Sequence, residues 1–257
     1  MVTDFDAIVR EHGPRLFNLA ARMTGDREVA QEIVQEALLL VHRKLPGFRG
    51  GSSLYTWMWR ITANLCLREA SRLDRERVRR ADADFESLLA QGRLASTPQL
   101  EAWKQDPAEA LHYAELVARV QRECHFFILG LLTPAERIVF LLRSHAGLGF
   151  EEVGAVLGIG TGAAKARMAR ARRKLEQDLR GRCSRHSREG RCTCESCAAY
   201  LVHRHSGVLE DVRAESAFAG EIAAAFREAG DLADLYRRFP GLEWRIPPRI
   251  RDLVAAG

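Results

Sequence analysis

The 257-residue chain has no long apolar run; even with glycine counted, runs such as Phe126 to Leu132 reach only seven or eight residues. A membrane-spanning helix needs about 20, so none is expected. The opening residues Met1 to Asp6 are acidic and carry no apolar core, which excludes a secretory signal and predicts a cytoplasmic, reducing setting. Aromatic residues are scarce at 7%, while Gly (20) and Pro (8) are ordinary, which excludes collagen-like and low-complexity classes. Period-2 alternation is almost absent, so sheets are not expected. There is no P-loop, no pair of catalytic carboxylates and no nucleophile–base arrangement. The chain is therefore not expected to be an enzyme.

What is present points elsewhere. Hydrophobic residues make up 47%, enough to build real cores. The formal net charge is +5, yet residues 161–191 alone carry +8, so the rest is slightly acidic. A basic block in a near-neutral chain suits a nucleic-acid surface better than general solubility. The alternative is a solvated helix face followed by a basic linker. Six cysteines in a reducing setting are expected as thiols. Four of them, Cys183, Cys192, Cys194 and Cys197, fall within fifteen residues.

The apolar spacing is helical throughout and predicts an all-α fold of two small helical domains joined by a linker, with a C-terminal extension. Residues 4–23 are periodic but interrupted at Gly13-Pro14. A helix follows from about Arg27 to Lys44 and is stopped by Pro46-Gly47. Another runs from Leu54 past Ser71, with Ser52 or Ser53 as its N-cap. Residues 1–80 form the first domain. Residues 81–108 read as an acidic linker, residues 109–181 as the second domain, 182–206 as a cysteine-rich segment and 207–257 as the extension.

The second domain ends in a helix–turn–helix pattern. Phe150 to Leu157 is a short helix, Gly158-Ile159-Gly160 the turn with Thr161 as a cap, and Ala163 to Leu179 a long basic helix. Gly162, Ala163, Ala164, Ala166 and Ala169 keep that helix thin. Lys165, Arg167, Arg170, Arg172 and Arg173 project from it toward phosphates or guanine edges.

The run Leu132 to Leu142, then Gly147 to Val153, then Lys165 to Leu175 resembles region 4 of extracytoplasmic-function sigma factors. Ala163 and Ala164 stand where Thr and Val are common. Ala30 to Leu39 resembles region 2.2, with Glu32 at the usual Asp position and Leu38 at the usual Phe. Phe48 to Leu65 is similar to regions 2.3 and 2.4. Together the matches cover roughly residues 5–180 in the family's order. The resemblance implies a promoter-specificity factor with three surfaces. Gln31, Glu32, Gln35 and Glu36 would dock on core RNA polymerase. Trp57, Trp59, Arg60 and Asn64 would open and read the −10 strand, with the loop at 48–53 helping to capture a flipped base. Thr161, Lys165, Arg167, Arg170, Arg172 and Arg173 would read double-stranded −35 DNA.

The chemistry agrees with these roles, since strand opening needs an aromatic platform and cations. Trp57 shares the apolar stripe of Leu54 and Ile61, while Trp59 lies about 200° around the helix. Geometry thus makes Trp59 the exposed one, and the resemblance favours Trp57. Glu32 and Glu36, at i and i+4, repel unless a positive surface faces them.

The spacing Cys183-x8-Cys192-x-Cys194-x2-Cys197, with His186 between, suits a soft or borderline cation such as Zn²⁺, Cu(I) or Cd²⁺. Four thiols, or three with His186, complete a tetrahedral site; the alternative is free or redox-active thiols. Cys192 and Cys194 cannot chelate from one helix face, so a loop is expected there, permitted by Gly190. Cys66 and Cys124 sit in apolar helical contexts and are expected to be buried. No cofactor is expected to be needed for DNA binding itself. Some sigma factors of this class carry such a cysteine-rich extension and respond to metals without a separate anti-sigma factor, and this chain resembles them. In the extension, Val208 to Phe226 and Leu232 to Phe239 are amphipathic, and Trp244 to Pro248 cannot be helical throughout. Its apolar stripes are expected to cover the chain's own two DNA-binding domains, in place of an anti-sigma factor. The competing reading is a stand-alone metal-responsive helix–turn–helix repressor.

Overall fold

A computed structural model of the chain describes residues 4–70, 98–204, 219–239 and 241–255, together with positions 83 and 87. Its elements are helical: α1 (Phe5–Thr24), α2 (Arg27–Lys44), α3 (Leu54–Ala70), α4 (Pro98–Gln105), α5 (Ala110–Leu129), α6 (Pro134–Ser144), α7 (Phe150–Leu157), α8 (Thr161–Arg182), α9 (Cys194–Arg204), α10 (Ala219–Glu228), α11 (Leu232–Arg238) and α12 (Pro248–Ala255). They form two compact units. The first holds α1–α3, α6, α7, α8 as far as Arg172, and residues 241–255. The second holds α4, α5, the rest of α8 and α9–α11.

In the first unit the chain's own polar residues set the helix ends. Gly25 adopts φ +68 and closes α1, and the Asp26 carboxylate then accepts from the backbone N–H groups of Glu28 and Val29 to start α2. A short 3-10 turn, Leu45–Gly47, ends α2. Ser53 caps α3, its Oγ accepting from Thr56 N at 3.0 Å. Helices α1, α2 and α3 pack pairwise through Val9, Leu16, Phe17, Val34, Leu38 and Met58, all buried. Helices α6 and α7 add a further layer on α1 and α3.

The expected interruption at Gly13-Pro14 does not occur, and α1 runs through it. An interior proline costs about 3 kcal/mol. The burial of Leu16, Phe17 and Leu19 just beyond it, at about 1.5–3 kcal/mol each, outweighs that.

The turn between α7 and α8 depends on two glycines. Gly158 takes φ +65 as the C-cap of α7. Gly154 lies where a Cβ would come within 2.7 Å of the Ile159 carbonyl oxygen. Thr161 is the first residue of α8 rather than its cap, and the Gly160 carbonyl accepts from Ala164 N.

In the second unit α5 is the central element, contacted by α4, α9 and α10. Of the linker expected over 81–108, residues 81–97 lie outside the described set except positions 83 and 87. The remainder contains a folded helix: Leu100 and Trp103 of α4 are buried with Leu116, Val120, Ala198 and Ala199. The expected amphipathic stretch at 208–218 also lies outside the described residues. Beyond it, His125 of α5 sits edge-to-face against Phe226, Tyr236 and Phe239, and the Tyr236 hydroxyl donates to the His125 carbonyl at 2.9 Å. Among the described residues no helix is long and apolar enough to cross a membrane.

Gly154→Ala is expected to destabilise the chain by about 1–3 kcal/mol, because the added methyl meets backbone rather than a flexible side chain. Urea denaturation reads this as a lower midpoint at unchanged slope. An unchanged midpoint would mean that the turn has room.

Candidate functional site

Helix α8 separates its residues cleanly. Ala164, Met168, Ala171, Leu175 and Leu179 form a buried stripe. Lys165, Ala166, Ala169, Arg170 and Arg173 face solvent, with Thr161, Arg167 and Arg172 half-buried between the two faces. Small residues between cations let a backbone or base edge approach closely. The Arg170 guanidinium stands 3.5 Å from the buried Glu136 carboxylate, which also closes the capping box of α6 with Thr133. Lys165 lies over the Phe150 ring at 5.9 Å. Both cations are thus oriented by side chains of α6 and α7.

Helix α3 corrects one expectation. Trp59 is 0% exposed and sits edge-on to Tyr55. The pitch argument counted only the α1–α2 side, whereas α6 and α7 cover α3 from a second direction. Trp57 is the accessible indole. It packs partly against the cluster around Ile8, Val41 and Met58, and its ring tilts onto Phe48 of the preceding loop at 4.9 Å. Asn64 is exposed. Arg60 is exposed but donates from Nε and Nη2 to the Ala155 carbonyl of α7, at 3.1 and 2.6 Å. A helix C-terminal carbonyl is a favourable seat for a cation.

On α2, Glu32 is exposed, while Gln31, Gln35 and Glu36 are half-buried. The Glu32–Glu36 repulsion has an internal remedy, since Arg68 of α3 pairs with Glu36 at 2.9 Å.

The cysteines converge in the second unit, with a changed membership. Cys192 and Cys197 bring their sulfurs to 3.0 Å. Cys124 of α5 lies within hydrogen-bonding reach of Cys197 and joins the group, which apolar context alone did not suggest. Cys194 accepts from Gln121 Nε2 at 3.4 Å. Cys183 meets Cys192 through its backbone: Ser184 N donates to the Cys192 carbonyl and Cys192 N to the Arg182 carbonyl. Gly190 allows that loop because a Cβ there would lie 2.2 Å from the Cys183 carbonyl carbon. The His186 ring neighbours the rings of His125 and Phe226, at 5.8 and 6.4 Å, and its backbone N–H donates to the Cys183 carbonyl. Among the described residues no three His, Cys, Asp or Glu side chains are already set around an ion position. The donor set is chemically suited to a soft cation, but Cys183, Cys194 and Cys197 favour the protonated thiol. Hydrogen bonding with Cys124 and Cys192, then burial, pushes the Cys197 thiol up. Burial pushes Cys183 up to about 11. An apolar cavity of about 180 Å³ opens beside the sulfurs, lined by Val120, Cys124, Ile128, Cys192, Cys197 and Leu201.

Two family models match the chain: Sigma-70 region 2 over residues 8–76, and Sigma-70 region 4 over residues 128–175. The ECF RNA polymerase sigma factor SigE of Mycolicibacterium smegmatis is 30% identical over 185 residues, covering 72% of this chain and 63% of that protein. The chain thus spans less than two thirds of the length of SigE. The RNA polymerase sigma-H factor of Pseudomonas aeruginosa is 28% identical over 180 residues, 68% of this chain and 86% of that one. A solved structure of the sigma factor RpoE in complex with the anti-sigma factor NepR, from Bartonella quintana, is similar at a TM-score of 0.46 and 20% identity. It covers 69% of this chain and 98% of its own.

The thiol geometry has a measurable consequence. Thiolate, not thiol, reacts with alkylating agents, so Cys197 in the native chain at pH 8 should alkylate more slowly than a free thiol, because its neighbouring sulfurs and burial favour the protonated form. Cys124→Ala should speed that reaction by removing the first of its hydrogen-bonding partners. Peptide mass spectrometry over time reads both. Equal rates in the two proteins would take Cys124 out of the cluster.

Proposed function

The chain belongs to the extracytoplasmic-function family of RNA polymerase sigma factors, and from that premise we propose that it directs core RNA polymerase to specific promoters to initiate transcription. It acts as an initiation factor, not as a catalyst in its own right. One observation carries the reading. A region 2 pair, α2 and α3, and a region 4 helix–turn–helix with a basic, alanine-spaced outer face stand in one chain in the family's order.

The roles follow from side-chain placement. Lys165, Arg170 and Arg173 contact −35 DNA, with Thr161, Arg167 and Arg172 flanking. Trp57, backed by Phe48, is the platform for an unstacked −10 base, and Arg60 and Asn64 hold the freed strand. Trp59 supports the helix from inside. Gln31, Glu32, Gln35 and Glu36 dock on the polymerase.

The cysteine-rich segment is the receiver of a signal, and the extension acts on the chain's own surfaces in place of an anti-sigma factor. Cys124, Cys192 and Cys197, with Cys183 and Cys194 nearby, are the residues that would hold a thiophilic ion of the Zn²⁺, Cu(I) or Cd²⁺ kind. Such an ion would displace the thiol protons and tie α5 to the segment before α9. His186 is left out of this set, a choice supported by its ring contact with the aromatic group around His125.

Run-off transcription with core polymerase, with and without graded Zn²⁺, Cu(I) and Cd²⁺, tests the whole reading. A sigma factor needs the core to protect a promoter, whereas a stand-alone repressor protects a palindrome alone. Output that ignores every metal would leave the thiols a structural or redox role.

Lys165→Ala and Arg170→Ala are expected to weaken promoter binding by the holoenzyme. A lost phosphate contact acts on all sequences and lowers the salt slope by about one. A lost base contact costs about 1–3 kcal/mol at a single −35 position. Promoter titrations at several salt concentrations tell the two apart, and wild-type behaviour in both variants would take them off the DNA face.

A further inference from the structure

Residues 241–255 cross helices α1 and α2 as an extended strap that ends in α12, all within the first unit. Their seating is built from backbone contacts. Asn18 of α1 holds Leu242 from both sides, its Oδ1 accepting from Leu242 N at 2.7 Å and its Nδ2 donating to the Leu242 carbonyl at 3.3 Å. Arg27 Nη2 donates to the Glu243 carbonyl at 2.7 Å, and Gln31 Nε2 to the Arg245 carbonyl at 2.8 Å. Four residues of a helix rise about 6 Å, and two residues of an extended chain advance about 6.6 Å. Arg27 and Gln31, one turn apart, are therefore spaced to take alternate carbonyls of an extended segment. Between these anchors the Trp244 indole lies on α1 at Gly13, where any Cβ would come within 2.2 Å of the ring. Pro247 and Ile250 are buried at the far end, where α12 meets α2.

This explains a glycine in the interior of α1 that helix propensity disfavours. It also places one of the four expected docking residues, Gln31, and its neighbour Arg27 in the service of the chain's own strap. We propose that the strap and core RNA polymerase compete for the Arg27–Gln31 end of α2, so that residues 241–250 must lift away before the polymerase docks. The inference rests on the docking assignment of α2 and goes beyond it by naming the segment that occupies the surface. The occupant's side chains other than Trp244 contribute little to the polar anchoring, since Asn18, Arg27 and Gln31 all grip backbone.

Two measurements on the full-length chain test this. The first is competition for core polymerase by wild type, Trp244→Ala, Gly13→Ala and Glu32→Lys. Removing the indole, or filling its seat from the opposite side, raises the docking-competent fraction and should tighten binding by at least about threefold. Gly13→Ala also places a better helix former in α1, so tighter binding there cannot be a symptom of unfolding. Glu32→Lys lies outside the strap contacts and should weaken binding. If Glu32→Lys weakens binding while both strap variants match wild type, the competition is overturned and the docking assignment stands. If Glu32→Lys matches wild type, the docking assignment fails and takes the proposal with it. The second measurement is hydrogen exchange at the Leu242 amide of the unmodified chain. Protection in the free chain that disappears in the complex with core supports the proposal. Protection that persists in the complex overturns it.

Discussion

Helix α3 must be covered from two directions, and much of the first unit follows from that. Met58, Trp59, Thr62, Ala63 and Cys66 are all buried, and no single neighbour can cover so wide an arc of a helix. Helices α1 and α2 take one side, and α6 and α7 take another. This arrangement binds the segment matched by region 2 to the segment matched by region 4 within one core. It also occupies Arg60, which neutralises the carbonyl at the end of α7 instead of meeting a nucleic-acid strand. A helix used as a shared core and a helix used to read an opened strand make opposite demands on the same residue. For Arg60 to take a phosphate, it must first leave Ala155.

Where periodicity and turn chemistry were sufficient, the sequence was readable. The helices over 27–44 and 54–70, the Ser53 cap, the glycine turn before α8 and the helix around Leu232 to Tyr236 all lie where spacing places them. The failures share a cause. Each depended on a partner far away in the chain. The pitch argument for Trp59 counted one covering face and met two. Gly13-Pro14 reads as a break until the burial of Leu16 and Phe17 is weighed against the lost hydrogen bond. Leu100 and Trp103 sit in acidic surroundings that look like a linker, yet the apolar faces of α5 and α9 draw them into a core. Cys124 is 59 residues from Cys183, and no local spacing connects them. The basic outer face of α8 was legible because small and cationic residues alternate on one continuous helix. The strap was not, because its recognition is carried by backbone carbonyls, which every sequence possesses.

Burial and reactivity pull in opposite directions at the thiols. The same packing that gathers Cys124, Cys192 and Cys197 holds the proton of Cys197 in place, where two neighbouring sulfurs and burial act together. A buried cluster of this kind is poorly nucleophilic toward small electrophiles, yet a cation that bonds to sulfur can supply the driving force to release the protons. Selectivity would then come from softness of the ion and access through the adjoining apolar cavity, not from exposed charge.

The central position of α5 has a bearing on the history of the chain. Its partners α9 and α10 come from beyond the residues matched by region 4, and Leu116 and Val120 are buried with Ala198 and Ala199 of α9 as well as with Leu100 and Trp103 of α4. An appendage gained late usually rests on a surface that was already soluble without it. Here α4 covers only part of the apolar face of α5, and α9 and α10 cover more of it, so a lineage that discarded the residues after Arg182 would expose apolar surface on that helix. Shuffling the extension onto another sigma factor would leave α9 and α10 without the α5 face they pack on, unless α5 went with it.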